Sequence, residues 1–171
     1  MPRTYCLIAV LSMVATAASG QQATRNACAE ADHRQFDFWV GDWEVTDSAG
    51  KVVYGSNSVT REEDGCLIHE HWVGSRGGTG QSLNFLDPAT GKWEQVWVGS
   101  DGLVLQVLGG IEGTSMVLVG DGLGQGGKQL KQRASWTPQA DGRVRQYWQQ
   151  SADGGATWTV AFDGWYRRKK G

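Results

Sequence analysis

The chain has 171 residues, a formal net charge of −2, nine Trp, twenty-five Gly and three Cys. A mildly acidic, evenly mixed surface with no basic stripe argues against nucleic acid as the main partner. Apart from one short apolar run near the start, no segment approaches the length of a membrane-crossing helix, so no span is expected once that run is removed.

Residues 1–20 have an early Arg3, an apolar run from Leu7 to Val14, and small residues from Ala15 to Gly20. This is the pattern of a secretory signal peptide, too short for a comfortable bilayer span. Cys6 precedes the apolar run and so is not placed for lipid attachment. An exported protein, periplasmic or extracellular, is expected. Cys28 and Cys66 then remain in an oxidising compartment, where an even pair usually bridges. Such a bridge would staple a lead segment, residues 21–35, to a domain over residues 36–171.

From Phe36 onward the apolar pattern has period two and its breaks are turn residues, which is how an antiparallel meander reads. Strands are expected at about 40–47, 51–62, 66–73, 81–86, 92–98, 103–108, 111–119, 128–137, 143–150 and 157–168. Asp87-Pro88-Ala89-Thr90-Gly91 reads as a hairpin turn: Pro presets one dihedral and Gly accepts the left-handed one. Gly109-Gly110 reads as a two-residue hairpin turn, and 120–127 as a glycine-rich flap. About ten strands joined by short connections leave two long edges unless the sheet closes. The fold class expected is therefore all-β: a single closed antiparallel up-and-down barrel of about ten strands, lipocalin- or fatty-acid-binding-protein-like.

Gly41-Asp42-Trp43, on the first strand, resembles the Gly-x-Trp of lipocalins and related calycin barrels. The resemblance implies that an Arg of the last strand, Arg167 or Arg168, covers Trp43 and makes it structural. Phe36, Phe38 and Trp39 would seal the same end. The wider set also resembles a family of exported bacterial lipocalin-like proteins of unknown function: Phe36 to Trp43, Gly65-Cys66, Glu70-His71-Trp72, Asp87 to Trp93, and Trp158 to Tyr166. It covers nearly the whole mature chain and implies a barrel and export, without an activity. The longer Gly-x-Trp-x-Gly-x-Gly of heme-binding barrels is not matched, since Glu44-Val45-Thr46 follows Trp43. No cofactor is expected.

Several strands alternate Trp with Gln or Glu on one face: Glu70 with Trp72; Trp93 with Gln95 and Trp97; Gln146 with Trp148. Trp136 shares a face with Leu130, Gln132 and Ala134. Flat rings beside amides suit a cavity where rings stack on a ligand and amides orient it. The expected ligand-binding set is Glu70, Trp72, Trp93, Gln95, Trp97, Trp136, Gln146 and Trp148. His69 and His71 leave one strand face together and could hold a metal only with a third ligand. Glu70 points to the other face and is the one candidate acid or base; an Arg133 or Arg145 partner would make it structural.

Ser151-Ala152-Asp153-Gly154-Gly155-Ala156-Thr157-Trp158 resembles the Asp-box of sialidases, a hairpin turn remote from their active sites. One copy in a short chain reads as turn chemistry, with Asp153 accepting backbone N–H groups and Trp158 anchoring the outgoing strand. No phosphate loop, serine elbow or Cys-x-x-Cys is present. The function expected is binding of a small amphiphilic or polar-aromatic molecule. An enzyme using Glu70, or a non-catalytic interaction module, are the alternatives.

Overall fold

The period-two pattern becomes the inside and outside of a cylinder. A computed structural model describes residue 1, residues 28–124 and residues 127–169. Nearly all of the segment read as a secretory signal, residues 21–27 of the lead segment and residues 125–126 of the glycine-rich flap lie outside the described residues.

The strands are β1 Gly41–Thr46, β2 Val53–Glu62, β3 Leu67–Gly74, β4 Thr79–Asp87, β5 Lys92–Gly99, β6 Val104–Glu112, β7 Ser115–Leu123, β8 Gln129–Pro138, β9 Val144–Ser151 and β10 Thr159–Arg168. Each pairs with its chain neighbour, and β1 pairs with β10, so ten antiparallel strands form a closed up-and-down barrel of lipocalin-like fold. Closure runs through Trp43 opposite Arg168, Glu44 opposite Arg167 and Val45 opposite Tyr166. No edge strand is left among the described residues, which removes the aggregation hazard of an open meander.

One end is plugged. Two short 3₁₀ turns, Ala31–Arg34 and Asp37–Trp39, lead into β1. They deliver Phe36 and Trp39 into the barrel, where both are fully buried. The Phe36 ring lies 4.9 Å from Trp39, 5.3 Å from Trp136 and 5.7 Å from Trp93, centroid to centroid. Offset and edge-on ring pairs of this kind each add about 0.5–1.5 kcal/mol beyond the area they bury. Trp43 donates its indole N–H to the Trp39 carbonyl at 2.8 Å. The expected Cys28–Cys66 disulfide is present and ties the lead segment to the start of β3. Arg61 reinforces that tie, donating to the His33 carbonyl at 3.0 Å and pairing with Asp37.

The cover over Trp43 comes from Arg168, whose guanidinium carbon is 4.4 Å from the ring centroid. Arg167 stands opposite Glu44 instead. Gly41 has φ +146°, and a Cβ there would overlap the Arg168 guanidinium. The glycine of Gly41-Asp42-Trp43 therefore serves both a backbone angle and the cation.

Two turn expectations are corrected. Gly109 and Gly110 lie within β6, and the hairpin turns at residues 113–114. A Cβ on Gly109 would overlap the Val117 carbonyl, and one on Gly120 the Gln106 carbonyl. These glycines let β6 and β7 approach closely, a use in strands that composition alone does not separate from a turn. The seventh strand is consequently displaced from 111–119 to Ser115–Leu123, absorbing the first part of the expected flap. The other hairpins form where the turn residues stand; Asp87, for example, accepts the Ala89 N–H at 2.8 Å and the Thr90 hydroxyl at 3.0 Å.

Candidate functional site

Above the plug the barrel encloses a cavity of about 300 Å³. A ten-stranded cylinder is wider than an eight-stranded one and is not filled by its own side chains at every level. The interior is layered. The aromatic floor comes first, a belt of polar groups follows, and an aromatic rim stands near the loops at residues 75–78 and 100–103.

Three rim tryptophans, Trp72, Trp97 and Trp148, line the cavity with Phe162, and all four are half-buried. Each of three rim rings rests on a glycine. A Cβ on Gly55 would lie 2.7 Å from Trp72 Cζ2; one on Gly80 would overlap the Trp97 ring, and one on Gly164 the Phe162 ring. The glycines are notches that let large rings lie against the wall and leave the centre open. Trp148 is held differently, donating its indole N–H to Gln132 Oε1 at 2.7 Å.

The polar belt centres on Glu70, buried on β3 with its carboxyl facing inward. The registers Glu70 opposite Ser82 and Asn84 opposite Gln95 bring one residue from each neighbouring strand to the same height. Asn57 Nδ2 donates to Glu70 Oε1 at 2.7 Å, and Ser82 Oγ to Oε2 at 2.6 Å. The network continues outward. Asn84 Nδ2 donates to Ser82 Oγ at 2.9 Å, and Gln95 Nε2 to Asn84 Oδ1 at 2.8 Å. On the other side Asn57 Nδ2 reaches the Tyr166 hydroxyl at 3.3 Å, and that hydroxyl donates to Gln146 Oε1.

Burial pushes the Glu70 carboxyl up to about 7, against the pull of its hydrogen bonds from Ser82 and Asn57 and of nearby His69. Burial, and then the Glu70 charge, raise the Tyr166 phenol well above its ordinary value. Among the described residues, no arginine pairs with Glu70. Arg145 is bidentate to Asp163 at 2.8 Å on both arms, and Arg133 is 3.6 Å from Glu112. The ion pair that would have made Glu70 purely structural does not form.

Of the eight residues expected to bind ligand, Glu70, Trp72, Gln95, Trp97, Gln146 and Trp148 line this one cavity. Trp93 and Trp136 do not. They point inward but lie one level lower, buried in the floor against Phe36, where Trp93 donates to Gln35 Oε1 at 3.1 Å. Side-chain alternation assigns a face of the sheet but not a height along the barrel axis, and height separates floor from lining.

His69 and His71 face outward. His69 is held by Glu62 at 3.1 Å and Gln81 at 2.8 Å, which raise its pKa, and His71 is exposed. No group of three or more His, Cys, Asp or Glu among the described residues could hold a metal ion. Asp153 closes the β9–β10 turn, accepting the Thr157 N–H at 2.8 Å and the Thr157 hydroxyl at 2.6 Å, which holds its carboxyl well below the usual range. Trp158 donates back to the Gly155 carbonyl at 3.0 Å.

The sequence reading missed Asn57, Ser82 and Tyr166 as parts of the belt and Phe162 as part of the rim, and it placed Gln132 on the Trp136 face without including it in the ligand-binding set. Asn57 had a signal: it alternates with Gly55 and Val59, opposite in phase to the polar Ser56 and Ser58. A polar residue in phase with apolar ones is what a polar cavity looks like along a strand. Compared with protein-family models and with curated proteins, the chain matches none.

Proposed function

We propose that this chain is an exported lipocalin-like barrel that binds a small amphiphilic or polar-aromatic molecule. The observation carrying this reading is the layered cavity: an aromatic rim of Trp72, Trp97, Trp148 and Phe162 above a belt of carboxyl, amide and phenol groups. Rings would hold an apolar body and the belt would orient a polar head, the usual division of labour in small-molecule sites. At about 300 Å³ the cavity lies at the lower end of such sites and favours a compact ligand. Export is supported by the leader-like sequence of residues 1–20 and by the disulfide, which reducing compartments do not maintain.

Titration with the neutral probe N-phenyl-1-naphthylamine, followed by tryptophan quenching, tests it. Saturable quenching that is lost in a folded Trp97→Ala/Trp148→Ala double variant is expected. Absence of saturable binding by this probe and by smaller neutral aromatics would remove the reading.

A second reading, catalysis by Glu70, is favoured by one observation: the carboxyl is buried, faces the cavity and forms no ion pair with an Arg or Lys among the described residues. It requires that a bound compound be converted by substoichiometric protein and that Glu70→Gln stop the conversion. Recovery of the compound unchanged would leave binding alone.

A further inference from the structure

Among the described residues, the cavity is lined by carboxylates and no cation. Glu70 stands in its wall and Asp101 at its rim, while no Lys, Arg or His is among the described residues that line it. An ionised carboxylate out of water is costly unless paired. A carboxylate offers about four acceptor sites, and Glu70 fills two, with Asn57 and Ser82. The rings above it present faces of negative potential, which attract cations. An anion would meet repulsion at both ends of this space.

Gln132 adds a second anchor. Trp148 can only donate, so its bond to Oε1 fixes the amide and turns Nε2 into the remaining donor. That nitrogen is buried and has no partner, on a side chain 1 % exposed that lines the cavity. β3 and β8 are five steps apart around ten strands, so Glu70 and Gln132 face each other across the barrel.

Resting on the binding function proposed above, we infer that the ligand is an organic cation. It is a protonated primary or secondary amine on a compact apolar body, with its N–H groups on Glu70, its body between the rim rings, and a hydrogen-bond acceptor facing Gln132. A quaternary ammonium is disfavoured because it has no N–H for the two open acceptor sites of Glu70.

The test uses three probes with one body: phenethylamine, 2-phenylethanol and 3-phenylpropionate, titrated calorimetrically into the mature protein. At about pH 8 the amine is expected to bind at least about tenfold more tightly than the alcohol, and the propionate weakest. Glu70→Gln should abolish the preference for the amine over the alcohol. A pH series on the unmodified protein gives an answer that does not depend on the variant folding. Amine affinity should rise from about pH 5 to about pH 8 as Glu70 ionises, while alcohol affinity stays flat. An alkyl ammonium stays charged throughout. Of the groups around Glu70, Asn57, Ser82 and Gln95 do not titrate, Tyr166 stays protonated, and outward-facing His69 loses charge as pH rises, which weakens its pull on the carboxyl and broadens the rise in carboxylate without reversing it. Alcohol binding without amine preference, or without pH dependence of the amine, overturns the cation assignment and leaves the cavity reading standing. Failure of all three probes overturns both.

Discussion

Arg168 lies over Trp43 with its guanidinium carbon 4.4 Å from the ring centroid, and the two are partners in the ladder that closes the barrel. The contact therefore joins the first strand to the last at the plugged end. Trp43 is fully buried and bonded to Trp39, whereas Arg168 is exposed. Trp43→Ala should cost about 3–5 kcal/mol of stability. Arg168→Ala should cost about 0.5–1 kcal/mol, the range for a cation over a ring at an exposed site. Urea unfolding measures both. Probe selectivity should survive each change in protein that remains folded, because neither residue lines the cavity; a change in selectivity would join plug and cavity into one functional unit.

The Cys28–Cys66 disulfide spans a separation of 38 residues. Its removal by the Cys28→Ser/Cys66→Ser double variant should lower stability by about 2–4 kcal/mol, chiefly by freeing the unfolded chain. Unfolding curves of the wild type with and without reductant should reproduce the difference. Unchanged curves would mean that the Phe36 and Trp39 packing alone fixes the lead segment.

The raised Glu70 pKa predicts a stability that falls as pH rises. Its ordinary value is 4.5 and its folded value about 7, so between these the folded state holds a proton that the unfolded state has released. Stability should then decrease from about pH 5 to about pH 8, by an amount of order 3 kcal/mol, and level off above. The raised pKa of His69 adds a dependence of the same sign around its own titration. Glu70→Gln isolates the two: it should remove most of the slope and leave the His69 part. A wild-type slope that Glu70→Gln does not change would place Glu70 in contact with water.

Gly80 makes room for Trp97, so Gly80→Val should force that ring off the wall and into the cavity. Overpacking of this kind costs about 1–3 kcal/mol. Near-ultraviolet circular dichroism should change, and affinity for neutral aromatic probes should drop by at least about tenfold. Retained affinity would show that the ring has another place to go.

Asp153→Ala should loosen the β9–β10 turn, because it removes both bonds to Thr157 at once. The midpoint of thermal unfolding should fall while probe binding in the folded protein stays the same. Loss of binding would bring this turn, one of those at the open end, into the site.

The strand pattern, the closing device and the covalent staple were legible in the sequence. Period-two alternation, Asp-Pro and Gly turns, Gly41-Asp42-Trp43 with a late arginine, and two cysteines are local or pairwise signals, and short-range backbone sterics and redox chemistry act on them directly. What only the tertiary structure decided was depth. Trp93 and Trp97 share a strand face, yet one is floor and the other rim, because a strand of period two climbs the barrel axis while its side chains keep pointing inward. Glycine use was equally undecided: Gly109 read as a turn residue, and the close approach of the neighbouring strand gives it its role, as the Trp97 ring does for Gly80. So was the company of Glu70. Its register set Asn57 and Ser82 beside it and left both arginines outside, which turned a lone acidic residue in a strand into an unpaired carboxyl facing a cavity.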